Sequence, residues 1–279
     1  MFVQRKTVNT KVELRPARAG CGITFVRADL DGLRIPALQA STTALDYATT
    51  VGKDDVSVGT VEHLLAAVVA CDITDVDILI DGPEVPIVDG SALPFMHLID
   101  AAGVRKLGTE IPVFRIAQPI EITEGQKSIR ITPSNRLVIK YKIDFDHPVI
   151  GRQTVHFDFA HDSFLRKIAP ARTFGFIRDV EQLRAAGLAR GGSVENAIVL
   201  DDRGVINGPL RFRDEFVRHK ILDLIGDLAL VGRPIVGEIT ACRGGHALHS
   251  RFVEKIIAAA EAQEERREPV MAQPARSFA

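Results

Sequence analysis

The chain has 279 residues, 46% of them hydrophobic and 25% charged, with 35 Lys plus Arg against 36 Asp plus Glu. That balance belongs to a globular protein and excludes a mainly disordered or fibrous chain. A formal net charge of −1 gives no electrostatic footprint for nucleic acid, while leaving room for a local basic pocket that takes a small anion.

The three cysteines, Cys21, Cys71 and Cys242, form neither a disulfide framework nor a CxxC metal motif, so a reducing compartment is expected. Met1-Phe2-Val3-Gln4-Arg5-Lys6 is too polar to open a secretory signal. The longest apolar run, residues 64–71, covers eight positions, whereas a membrane-spanning helix needs about 20. A cytoplasmic protein without stable membrane insertion follows, and a monomer is expected.

In chain order, Lys11-Val12-Glu13-Leu14 and Gly22-Ile23-Thr24-Phe25-Val26-Arg27 alternate as strands around a Pro16/Gly20/Gly22 turn. Thr60 reads as the N-cap of a helix over residues 61–68. A strand at 76–80 ends at Asp81-Gly82-Pro83, and 92–102 reads as an amphipathic helix. Residues 103–111 look like a boundary. Strands are then predicted at 113–116, 120–122, 128–132, 137–145 and 154–159, with short buried strands at 197–200 and 236–242. Helices are predicted at 179–186, 214–231 and from Ser250 to about Glu265. The order of elements gives an α+β fold of two similar two-layer α/β sandwiches. The N-terminal domain covers 1–106 and the C-terminal domain 107–265, with a frayed tail at 266–279.

The most informative stretch runs from Phe216 to Asp227. On a helix His219, Asp223 and Asp227 share one face, among apolar Ile221, Leu222, Leu224 and Ile225. Buried carboxylates are costly unless paired or metal-bound. A His-x-x-x-Asp pair can therefore hold Zn²⁺, or it can be an acidic stripe beside a satisfied core His. Glu62-His63 at the head of an otherwise apolar helix could add a second imidazole and a general base. The bland reading makes Glu62 a helix-terminal charge and His63 a packed core residue. Gly244-Gly245-His246-Ala247-Leu248-His249 reads as a turn whose His could act as an acid, with Asp227 as its partner.

Six segments carry a resemblance. They are Thr60-Val61-Glu62-His63-Leu64, Glu84-Val85-Pro86-Ile87-Val88-Asp89-Gly90-Ser91-Ala92, Ala171-Arg172-Thr173-Phe174-Gly175-Phe176, Gly191-Gly192-Ser193, the run from Glu215 to Asp223, and Gly245-His246-Ala247-Leu248. In order and spacing the chain resembles the bacterial UDP-3-O-acyl-N-acetylglucosamine deacetylases, zinc enzymes of the committed step of lipid A synthesis.

The resemblance implies two α/β domains with zinc between them. It makes His63, His219 and Asp223 the ligands, Glu62 the general base, and His246 the acid or electrostatic partner oriented by Asp227. Thr173 would stabilise the oxyanion and Lys220 would bind substrate. Asp144 and Phe145 would hold the uracil, and Phe174 and Phe176 would line the acyl passage. Apart from the resemblance, Arg243 ahead of the Gly-Gly-His turn could meet a diphosphate or only water. Fe²⁺ suits such a His/carboxylate site as well.

The substrate implied is a UDP-activated acylated amino sugar. The chain departs from the family pattern at its start, where the first strand and a Gly-Val-Gly-Leu-His-Ser-Gly-like loop are missing. A zinc amidohydrolase with another acylated substrate, or a truncated or inactive paralogue that binds a nucleotide sugar, remain the alternatives.

Overall fold

The computed structural model describes residues 10–178 and 196–266. Two large sheets, two small ones and the helices packed on them form an α+β molecule around one continuous apolar core among the described residues. The first sheet has the order β1-β7-β2-β3, from β1 (Val12–Pro16), β2 (Ile23–Arg27), β3 (Leu33–Pro36) and β7 (Val76–Ile80). Strand β7 lies antiparallel to β1 and parallel to β2. Its burial alternates, with Val76, Ile78 and Ile80 inward, as the period of two requires.

Between β3 and the first helix the chain makes a small three-stranded sheet of β4 (Thr42–Ala44), β5 (Thr50–Lys53) and β6 (Val56–Val58). Helix α1 (Glu62–Ala70) follows, buried on every side from Glu62 to Val68. A helix that is apolar all round belongs inside a protein. Helix α2 (Leu93–Ala102) opens with Pro94 in its first turn, where the missing N–H costs nothing. Val12, Leu14, Leu64, Phe95 and Leu98 line one small cleft, which places both helices against β1.

The second sheet is built from β8 (Phe114–Arg115), β9 (Ile120–Glu124), β10 (Lys127–Thr132), β11 (Leu137–Asp144), β12 (Arg152–Asp158) and β15 (Ile235–Cys242). Its order is β12-β11-β15-β10-β9, with β8 beside the start of β15. Strand β15 enters last, parallel to β11 and antiparallel to β10. A one-turn helix α3 (Phe164–Lys167) and the parallel pair β13 (Phe174–Phe176) and β14 (Ile198–Leu200) lead to helix α4 (Glu215–Leu228). Helix α5 (His246–Glu265) closes the described chain. Helix α4 packs on β11 and β12, and α5 on β9 and β10. The two helical layers meet where α1 crosses α4.

That crossing depends on Gly226. A Cβ there would lie 2.7 Å from the carbonyl carbon of Glu62 and 2.8 Å from its Cα, and closer still to its oxygen. The backbones of α1 and α4 touch at the residue pair that flanks His63 and Asp227.

Two local expectations need correction. Thr60 is not a cap: its φ is +57°, its hydroxyl donates to Glu84 Oε1 at 2.9 Å, and Val61 takes the N-cap position without a side-chain bond. The last helix begins at His246 rather than Ser250, because Gly245 is extended and the helix starts directly after it. The chain also turns into strands at β3–β6 and β13, where none were predicted. The helix expected at 179–186, the segment Gly191-Gly192-Ser193, the N-terminal segment and most of the tail lie outside the described residues.

Candidate metal centre and its neighbours

Helix α4 carries His219 and Asp223 one turn apart, and α1 delivers His63 from across the crossing. All three are 2–3% exposed. Nε2 of His219 lies 3.2 Å, and Nε2 of His63 3.7 Å, from Asp223 Oδ1. The two imidazoles meet edge to face with centroids 4.9 Å apart. One ligating atom from each of the three residues falls within 4.8 Å of the others.

The hydrogen bonds around this trio set its chemistry. His219 donates its Nδ1–H to the carbonyl of Ala171 at 3.1 Å. The neutral ring then has only a lone pair at Nε2, and that lone pair faces a carboxylate oxygen. Burial lowers the pKa of His219 and, helped by the neighbouring His219, pushes that of His63 down to about 3. Both rings are therefore neutral at pH 7. Burial alone would raise the pKa of Asp223, but His219 and the Lys220 ammonium outweigh it and hold the carboxyl well below its usual range. Its Oδ2 accepts from Lys220 Nζ at 2.8 Å.

Among the described residues, the buried Asp223 Oδ1 has no hydrogen-bond partner. His63 Nδ1 is likewise without a partner, and no hydrogen bond fills the space where His63 Nε2 and His219 Nε2 face Asp223 Oδ1. A cation satisfies such a set, and two imidazoles with one carboxylate suit a divalent metal of the zinc or iron type.

A second group lies beside it. Asp227 Oδ2 accepts from His246 Nδ1 at 2.9 Å and from His249 Nδ1 at 2.8 Å, while Asp227 Oδ1 accepts from Thr49 Oγ1 at 2.6 Å. These three atoms could also hold an ion by distance alone. Their proton donors already fill the carboxylate, so this is a hydrogen-bonded network. Burial would lower the pKa of His246, but the Asp227 carboxylate more than compensates and raises it to about 9. The other ring nitrogen of His246 faces Asp223, 4.0 Å from Oδ2.

Thr49 ties the two groups together. Its backbone N–H donates to Glu62 Oε2 at 3.0 Å, its carbonyl accepts from Val61 N at 3.2 Å, and its hydroxyl reaches Asp227. Glu62 is 2% exposed, and burial pushes its carboxyl up to about 7. A carboxyl poised near neutral pH suits proton transfer in either direction.

On the far side of His219, the residue after Ala171, Arg172, is held in an ion pair with a buried Glu215. The first turn of α4 presents Glu215, fully buried, which accepts from the backbone and side chain of Arg172 and from the backbone N–H of Arg211. Thr173 follows two residues after Ala171 and donates its N–H to Gly90 O at 2.7 Å. Phe174 then packs on Phe216 (5.0 Å), on Phe145 (5.8 Å) and beside His219 (6.3 Å), while Phe176 meets Phe145 and His147. Lys220 Nζ sits 5.5 Å from the centre of the Phe174 ring. Ring contacts thus link His219 through Phe174 and Phe145 to Phe176.

Next to Phe145 in the chain, Asp144 pairs with Arg243 at 2.9 Å, and Arg243 donates to Gln126 at 2.5 Å. Arg243 foremost, and Arg152 with it, hold the Asp144 carboxyl below its usual range.

The sequence reading missed Thr49, Tyr141, His249 and Gly226. Of these, only His249 carried a signal, standing three residues after His246. The thirteen candidate residues belong to the His63–His219–Asp223 trio with Lys220, to the Asp227–His246 network that Thr49 links to Glu62, to the Thr173–Phe176 segment with Phe145, or to the Asp144–Arg243 pair.

The fold is α+β, and its buried His63–His219–Asp223 trio could hold a divalent metal. The family model for UDP-3-O-acyl N-acetylglycosamine deacetylase (LpxC) matches residues 5–258, and the chain belongs to that family. A relative from Myxococcus xanthus, named UDP-3-O-acyl-N-acetylglucosamine deacetylase, is 50% identical over 246 residues, covering 88% of this chain and 78% of the relative. Relatives of the same name from Nautilia profundicola and Helicobacter pylori are each 42% identical, covering 91% and 98% of this chain and 86% and 92% of their own lengths.

Proposed function

We propose that the chain removes the N-acetyl group of a UDP-3-O-((3R)-hydroxyacyl)-N-acetylglucosamine, releasing acetate and the free amine, the committed step of lipid A synthesis. It does so as a zinc enzyme, and works as a monomer in the cytoplasm. The observation that carries the reading is the orphaned carboxylate oxygen of Asp223 between two neutral imidazole nitrogens. The three unpaired cysteines suit a reducing compartment.

His63, His219 and Asp223 would hold the metal. Bound there, zinc supplies a Lewis acid for the acetyl carbonyl and lowers the pKa of water to near 7. Glu62 takes the proton of the attacking water. Burial has already raised its affinity for that proton, and the Thr49 N–H keeps one of its oxygens fixed. Thr173, placed by its bond to Gly90, donates to the developing oxyanion. His246 enters charged, with Nδ1 anchored on Asp227, and protonates the departing amine from its other nitrogen.

Lys220 neutralises Asp223 in the free enzyme and turns to a substrate oxygen when one arrives. Phe145, Phe174 and Phe176 bury the acyl chain, and the Asp144–Arg243 pair meets the uridine diphosphate. The boundary between two domains, near 103–111, separates the strands and helices of the first sheet from those of the second.

The test is acetate release from the acylated UDP-sugar, with and without a chelator and with zinc returned. Turnover that a chelator abolishes and zinc restores supports the reading. Turnover untouched by complete metal removal contradicts it, and so does a zinc-loaded protein without turnover.

A further inference from the structure

We propose that His249 and Tyr141 are positioning residues that lock the Asp227–His246 pair in its working orientation. The inference rests on the deacetylase reading and adds to it a second layer of control behind the proton-donating histidine.

The observation is a closed chain of hydrogen bonds running away from the site. Helix α5 places His246 and His249 three residues apart, on the same side, and both point Nδ1 at one oxygen of Asp227. An ionised carboxylate only accepts, so each of those nitrogens bears the hydrogen. His249 is fully buried, and burial foremost disfavours its charged form. Its Nε2 is then a lone pair, and Tyr141 O–H, 2.9 Å away, donates to it. Tyr141 is itself fully buried on β11, the strand between β12 and β15 in the second sheet. The tyrosine thus selects the tautomer of His249, and His249 fills the second lone pair of Asp227 Oδ2. With Thr49 on Oδ1, the carboxylate has no freedom to turn, and the His246 ring attached to it keeps its outer nitrogen toward Asp223.

The backbone is shaped around the Tyr141–His249 bond. Arg243 sits in the left-handed region at φ +53°. A Cβ on the next residue, Gly244, would lie 2.6 Å from the Tyr141 hydroxyl and 3.0 Å from His249 Nε2. The loop closes over this pair more tightly than any side chain would permit, and keeps water from competing for it.

A purely structural pair would affect stability alone, whereas a positioning pair affects turnover. The measurements are kcat and KM for acetate release, bound zinc and urea stability, on the full chain and on His249→Leu, His249→Asn, Tyr141→Phe and the double variant. His249→Leu is expected to lower kcat roughly ten- to hundredfold with KM and zinc content unchanged. His249→Asn should restore kcat close to the parent value, because an amide N–H can stand where Nδ1–H stood. Tyr141→Phe should lower kcat in the parent but not in the His249→Asn background, which has no tautomer to select.

Equal losses in the leucine and asparagine variants would overturn the inference. So would parent kcat in all variants, even with reduced stability. If His249→Leu does not fold, the asparagine and phenylalanine variants decide alone. A parent protein that releases no acetate would remove the deacetylase reading itself, whereas a turning-over parent with indifferent variants would remove only the positioning role.

Discussion

Replacing Gly226 with alanine separates helix propensity from packing. In an exposed helix interior this change would stabilise by about 1 kcal/mol, since alanine is the better helix former. Here the new methyl carbon would stand 2.7 Å from the carbonyl carbon of Glu62, while carbon–carbon contacts settle at about 3.5–4.0 Å. Helix α1 must retreat from α4 by roughly 1 Å to admit it.

Two costs follow. Overpacking of this kind destabilises by about 1–3 kcal/mol, opposite in sign to the propensity gain. The retreat also carries Glu62 and His63 away from His219, Asp223 and Asp227, and a misplacement of about 1 Å can reduce catalysis about a hundredfold. Urea melts and acetate-release kinetics on purified Gly226→Ala protein read both effects. A variant more stable than the parent and equally active would show that the helices are not in backbone contact at this point, and the argument for the crossing would fail.

Three further outcomes are expected. His63→Ala should lose bound zinc and turnover together, measured by metal analysis and acetate release; full zinc content in an active variant rejects the ligand role. Glu62→Gln should keep its metal yet lose turnover by about 10²–10⁴-fold, the usual contribution of a general base, and a loss of metal instead would move Glu62 into the ligand set. The third concerns pH. In the metal-free protein the pKa of His246 lies above its ordinary 6.5, at about 9. Its charged form therefore stabilises the fold fully below about pH 6.5, and that contribution fades as pH rises through about 9. Urea melts of metal-free parent and His246→Gln should diverge below pH 6.5 and converge above 9; parallel curves contradict the assignment.

The helix bearing His219, Asp223 and Asp227 was legible because polar residues at a spacing of four stand out against an apolar background. Strands β7, β11 and β15 were legible for the same reason at a period of two. The small sheet was not, since Thr42–Ala44 and Val56–Val58 are too short to show alternation. Thr49 reaches Glu62 through its backbone N–H, which any residue type shares, and reaches Asp227, 178 positions away, through its hydroxyl. Tyr141 and His249 meet across 108 positions, and nothing local to either marks the other. Gly226 reads as a weak helix residue until the second helix is laid against it. Thr60 misled because a threonine ahead of an apolar run is the ordinary cap pattern, whereas its side chain is engaged by Glu84.

The most direct test is anomalous diffraction at the zinc edge from crystals of the zinc-loaded protein. A single peak at coordination distance from His63 Nε2, His219 Nε2 and the Asp223 carboxylate is the result expected. A peak among Asp227, His246 and His249 instead, or zinc found only on surface residues, would contradict the central claim.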